Sequence, residues 1–232
     1  MSSGYANPYT VAGAVPTERA GFIRRTYGHL ALAILAFVGL EYVILQQPWV
    51  EGMAMKMTSG MSWLLVLGAF MVVSWIANKW AMSDTSRGMQ YLGLGLFIVA
   101  EAIIFTPMLF IASKYSSPDV IPKAALVTLF IFAGLTSAVF VTKKDFSFLR
   151  SFLVIGGFIA MGIIVCGMLF GFNLGTWFAG AMAIFASVAI LYSTSNVMHH
   201  YRTDQHVAAS LSLFSSVALL FWYILRIFMA RD

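Results

Sequence analysis

The apolar residues of this chain do not recur on one face of a helix or on alternate positions of a strand; they run on. Seven stretches of 17 or more residues carry almost no charge, at approximately Tyr27–Leu45, Met61–Ala77, Gln90–Ala112, Ala124–Thr142, Phe152–Phe172, Trp177–Val197 and Val207–Met229. Crossing about 30 Å of hydrocarbon takes roughly 20 residues of helix at about 1.5 Å per residue, so each stretch predicts one transmembrane helix. The connectors are short and hold interface and turn residues, such as Gln46-Gln47-Pro48-Trp49 and Ser116-Ser117-Pro118-Asp119. None is long enough to fold alone. The pattern therefore predicts an all-α membrane protein: a polar N-terminal tail over residues 1–26 and a single seven-helix membrane domain over residues 27–232. Met1–Arg25 offers no early apolar core, so the first span is expected to act as its own insertion signal.

Composition agrees with this and removes other classes. The 232 residues are 60% hydrophobic and 10% charged, against about a quarter charged in soluble domains, which excludes a water-soluble globule and a disordered chain alike. A net charge of +5 would point to nucleic acid in a soluble protein, but here the 14 Lys and Arg are scattered through connectors, and no nucleic-acid partner is expected. Counting them by side sets orientation. Nine fall with the N-terminus (Arg19, Arg24, Arg25, Lys79, Arg87, Lys143, Lys144, Arg150, Arg202) and five on the opposite side (Lys56, Lys114, Lys123, Arg226, Arg231), which predicts a cytoplasmic N-terminus. With seven crossings the C-terminus lies outside; a last segment that dips without crossing would return it.

Chemistry is sought where polar groups enter the apolar runs, because charge in hydrocarbon is costly. Glu101 stands about 16 Å into the third span, near mid-bilayer. Thr106 and Pro107 follow it, and the proline leaves a helix carbonyl short of its donor. Two readings compete: an ion or proton site, or a protonated acid that only hydrogen-bonds a neighbouring helix. Glu41 and His29 are expected nearer the ends of the first span, in interfacial water. In the sixth span Ser193, Thr194, Ser195 and Asn196 approach one end, and in the seventh Ser210, Ser212, Ser215 and Ser216 make a small hydroxylic face, which reads either as close helix packing or as a lined pathway. Ser216 is expected about 14 Å deep, near the level of Glu101 and facing it. His199, His200 and His206 crowd the last connector as a possible pH-sensitive loop, their HH-x5-H spacing being weak for a metal, and none is expected. Gly167 and Gly171 form a GxxxG, the pattern of close helix contact.

Other motifs are missing. All six lysines lie in or beside connectors, so none is placed for a retinal Schiff base; no H-E-x-x-H, G-x-S-x-G or glycine-rich nucleotide loop occurs. The single cysteine, Cys166, has no partner for a disulfide. The expectation is a non-enzyme without a cofactor.

Several segments in order resemble the Bax inhibitor motif family of membrane proteins, bacterial branch: Phe22-Ile23-Arg24-Arg25-Thr26-Tyr27, Glu101-Ala102-Ile103-Ile104-Phe105-Thr106-Pro107, Thr142 through Leu149, Ile190 through Asn196, and Leu211 through Ser216 continuing to Leu225-Arg226-Ile227. The resemblance implies a bundle whose last helix is surrounded by the other six and, in several members, a pH-sensitive calcium leak closed by an aspartate pair, one in each of the last two spans. Ser193 and Ser216 stand at the matching positions. A hydroxyl does not titrate in the useful range, so calcium or proton leak without di-aspartyl gating is the leading expectation, along a path of Glu101, Thr106, Ser193, Asn196, Ser212, Ser215 and Ser216. The resemblance also implies an alternative, a non-conducting regulator that binds a membrane-anchored ATP-dependent protease, with the polar tail as its handle. A secondary transporter is a third reading, lowered by the lack of an inverted repeat. The expected location is a bacterial cytoplasmic (inner) membrane.

Overall fold

The computed structural model describes residues 10–59, 61–83 and 86–232. Among the described residues eight α-helices follow one another: α1 (Pro16–Leu45), α2 (Val50–Thr58), α3 (Ser62–Ala81), α4 (Arg87–Tyr115), α5 (Val120–Thr142), α6 (Leu149–Phe170), α7 (Gly175–His199) and α8 (His206–Met229). Seven of them are long and apolar enough to cross a membrane, and these are the seven predicted spans. The outward-facing surface carries the large apolar side chains Leu65, Trp75, Phe130, Phe158 and Ile184, as a lipid-facing wall requires.

The helices begin and end for local reasons. The Ser86 hydroxyl accepts the Met89 N–H at 3.2 Å and caps α4. Gly171, at φ +72°, closes α6 in the left-handed conformation that glycine adopts without strain. This corrects the reading of Gly167 and Gly171 as a helix-packing motif: Gly171 is a terminator, and Gly167 rests on Leu174 of the following connector. The close approach between helices occurs instead at Gly93, where a Cβ would come within 2.5 Å of the Ala77 carbonyl oxygen of α3.

Two boundaries differ from the sequence reading. At 30 residues α1 spans about 45 Å, more than the hydrocarbon needs. Its helix starts at Pro16, within the segment read as polar tail, because residues projecting beyond the apolar layer need no hydrophobicity to stay helical. The nine-residue α2 is too short to cross; it buries Val50 and Ala54 against Phe110 of α4, within the stretch read as a connector.

The last helix is the centre. α8 packs against α1, α3, α4, α5 and α7, and most of its apolar stretch is buried. α6 packs chiefly on α7. The starts of α1, α4, α6 and α8 share one end of the bundle, here termed the basic end. There the Val11 N–H donates to the Tyr201 carbonyl oxygen at 2.9 Å and Thr10 pairs with Arg202, so the segment before α1 straps the connector between α7 and α8.

Candidate functional site

Glu101 occupies the middle of α4, as far from Arg87 as from Tyr115. Its side chain is 5% exposed and has no hydrogen-bond partner among the described residues. It faces open space, not a tightly filled interior. It lines a half-open cavity of about 1040 Å³ bordered by α3, α4, α6, α7 and α8. Ser215 of α8 lines the same cavity, and so do Thr58, Asn173 and Arg226 toward the end opposite the basic one. From the level of Ser215 to that of Arg226 is about 16 Å of helix, so the space runs from mid-membrane to the far connectors.

The cavity exists because its walls do not pair closely. α6 leans on α7, leaving its Gly157, Ala160 and Gly167 side toward α3 with little to fill the gap. Toward the basic end the interior closes: Phe97, Ile190, Leu211 and Phe214 are each at most 2% exposed.

The serines form a separate cluster in that closed half. Ser193 and Ser216 place their Oγ atoms 3.0 Å apart, and the Ser212 hydroxyl donates to Ser193 at 3.1 Å. Ser216 also donates to the Ser212 carbonyl oxygen one turn earlier. Ser216 therefore does not face Glu101 across the cavity, as its depth had implied; the adjacent Ser215 does, because neighbouring residues on a helix point about 100° apart. Asn196 lines no part of the cavity, and its backbone carbonyl receives the His200 and Tyr201 N–H groups. Thr106 is also outside it: its hydroxyl donates to the Ala102 carbonyl at 2.8 Å and reaches Glu41 at 3.4 Å.

Glu41 is thus a second intramembrane acid. It is 4% exposed, between α1 and α4, where interfacial water had been expected, and its Oε1 has no partner. Its place near the end of α1 hid this, because the capping helix α2 and the long α4 cover that end.

His199 and His200 stay together, with ring centres 6.2 Å apart, while His206 turns to α1. His200 binds Asp145 at 3.0 Å, and His199 contacts the Ser195 carbonyl of its own helix. His206 meets His29 edge-on with ring centres 4.9 Å apart, while His29 contacts the Tyr91 hydroxyl at 3.0 Å. Asp145, in the connector after α5, is a functional candidate that sequence reading missed: it also receives the Ser147 N–H at 2.9 Å and the Ser195 hydroxyl at 3.3 Å. Partial burial pushes its carboxyl up, but the Ser147 N–H and the His200 ring outweigh that and hold it down at about 2.

A seven-span bundle with a central last helix is the arrangement the resemblance implied, although α6 stands behind α7 instead of against α8, and a hydroxyl pair occupies the place of the implied aspartates. The family model described as inhibitor of apoptosis-promoting Bax1 matches residues 19–232. The chain belongs to this family. Proteins similar to it include an uncharacterised protein of Pseudomonas aeruginosa, 29% identical over 95% of both chains. Bax inhibitor 1 of Schizosaccharomyces pombe is 28% identical over 96% of this chain and 81% of its own. Protein LIFEGUARD 4 of Arabidopsis thaliana is 27% identical over 94% of this chain and 87% of its own.

Proposed function

We propose that this Bax inhibitor family protein is a cation leak of a bacterial inner membrane, calcium and protons being the candidate ions, with its basic end in the cytoplasm. The observation that supports this reading is the unpartnered Glu101 carboxyl in a cavity reaching from mid-membrane to the opposite face. A carboxylate there attracts a cation, and Ser215, Thr58 and Asn173 offer oxygens in place of its hydration shell. Arg226 near the mouth opposes cation entry and keeps the leak slow.

The serine cluster replaces a titrating pair by groups that hold their hydrogen bonds at any physiological pH. The closed half of the bundle is then opened by conformational change, not by a proton shared between two carboxyls.

The test is purified protein in liposomes loaded with a calcium-sensitive dye, with proton flux followed in parallel. Glu101→Gln is expected to lower the cation flux by about tenfold or more, the equivalent of about 1.4 kcal/mol at a single charge, and Arg226→Gln to raise it. An anion path would respond with both signs reversed. Identical calcium and proton fluxes for Glu101→Gln and the parent chain would end the assignment.

A further inference from the structure

A second depression lies on the outside of α4, away from the Glu101 cavity. Gly88, Leu92, Gly95 and Val99 recur at helical spacing along one exposed stripe, and with Trp80 and Tyr91 they line a groove of about 480 Å³. Its glycines are not explained by packing within the chain. A Cβ at Gly93 would strike the α3 backbone, whereas one at Gly88 or Gly95 would meet nothing within 4 Å. These two glycines hollow the surface instead of letting a neighbour approach.

The groove has a length and a polarity. From Gly88 to Val99 it runs about 16 Å, close to half of a hydrocarbon layer of about 30 Å, the reach of one leaflet. Its walls are apolar, while its outer mouth lies at the basic end. Arg87 is exposed beside Gly88 at the first position of α4. Lys79 lies over the Trp75 ring, next to Trp80 in α3. The Tyr91 hydroxyl is joined to His29, whose Nδ1 contacts the Arg25 carbonyl oxygen one turn earlier in α1. Arg87 and Lys79, exposed on two helices, therefore stand next to the groove-lining Gly88 and Trp80 at the level where a phospholipid of that leaflet carries its phosphate. Asp84, in the connector from α3, lies outside the described residues.

We propose that this groove is a binding site for one anionic phospholipid of the leaflet at the basic end, with an acyl chain along Gly88–Val99 and the phosphate beside Arg87 and Lys79. A second copy of the chain fits the face less well. Copies inserted in the same direction and meeting there about a two-fold axis would set Arg87 and Lys79 against their own equivalents. An anionic lipid satisfies both the hollow and the charge.

Native mass spectrometry of the full chain in detergent provides the test, using phosphatidylglycerol, phosphatidylcholine with the same acyl chains, and glycerol 3-phosphate as probes. One phosphatidylglycerol per chain is expected to be retained about fivefold over phosphatidylcholine, the preference due to a basic residue near a lipid headgroup. Arg87→Gln, an exposed change that leaves the packing untouched, is expected to bring the two lipids level. Gly95→Phe fills the groove and is expected to lower retention of both, while Gly39→Phe, at an equally open site on α1, leaves retention as it was. Three results would overturn the proposal: equal retention of the two lipids by the parent chain, displacement of phosphatidylglycerol by glycerol 3-phosphate at equal concentration, or a dimer that Gly95→Phe dissociates.

Discussion

Ser193 and Ser216 meet at 3.0 Å in the buried half of the bundle, and Ser212 completes the cluster. Interhelical hydroxyl bonds in membranes contribute modestly, because the separated helices find other partners, so Ser193→Ala is expected to cost about 1 kcal/mol. Unfolding in a mixed-micelle titration measures it; a neutral result would make the cluster incidental to α7–α8 packing. The Asp145 carboxylate makes a different kind of contact. Its folded value near 2 lies below the ordinary 3.8, so the stability it adds is present above pH 4 and lost between about pH 4 and 2. Protection of the Ser147 amide against hydrogen exchange, corrected for intrinsic rates, should hold from pH 7 to 4 and fall below that. Protection that stays level from pH 7 to 2 would mean that the Asp145 carboxylate does not hold this turn. Both clusters show what sequence can carry at this scale. Serines at i and i+4 advertise a hydroxylic face, whereas Asp145 finds Ser195 and His200 from 50 and 55 residues away, and no spacing rule connects them.

The spans were legible as elements because an uncharged apolar run of about 20 residues has one economical use in water and lipid. What surrounds them was less so. The polar start of α1 lies past the hydrocarbon, where hydrophobicity no longer reports on helix, and α2 is too short to register against a membrane-length window. Glycines were legible as small but not by role: Gly171 ends a helix, Gly95 faces outward, and Gly93 lets α3 and α4 touch backbone to backbone. Gly93→Ala is therefore expected to be the damaging change among them. Its methyl would press on the Ala77 oxygen and the Ala81 nitrogen of α3, neither of which can rotate away, at a cost of about 1–3 kcal/mol. Thermal unfolding of Gly93→Ala beside Gly95→Ala checks this, since the second methyl meets nothing within 4 Å. Equal melting of the two would mean that α3 and α4 separate freely.

At the scale of the whole molecule, the cavity and the strap sit at opposite ends of one axis. The space that holds Glu101 opens away from the basic end, and the interior beyond it is filled by Phe97, Ile190, Leu211 and Phe214. Over that filled half lies the segment before α1, where Val11 is fully buried and its N–H is bound to Tyr201 in the connector that joins α7 to α8. The strap thus ties down the connector between the two helices that carry the serine cluster. If conduction requires α7 and α8 to part at the basic end, the strap adds to the barrier. One backbone hydrogen bond and one buried valine together contribute about 2–4 kcal/mol to holding the connector in place. A chain shortened to begin at Gly13 is therefore expected to leak faster in the liposome assay, and the increase should vanish when Glu101→Gln is added. That dependence is what makes the result specific. A shortened chain that leaks equally with and without the carboxyl would be leaking through a loosened bundle, and an unchanged leak would place the barrier wholly in the aromatic and aliphatic side chains that fill the basic half.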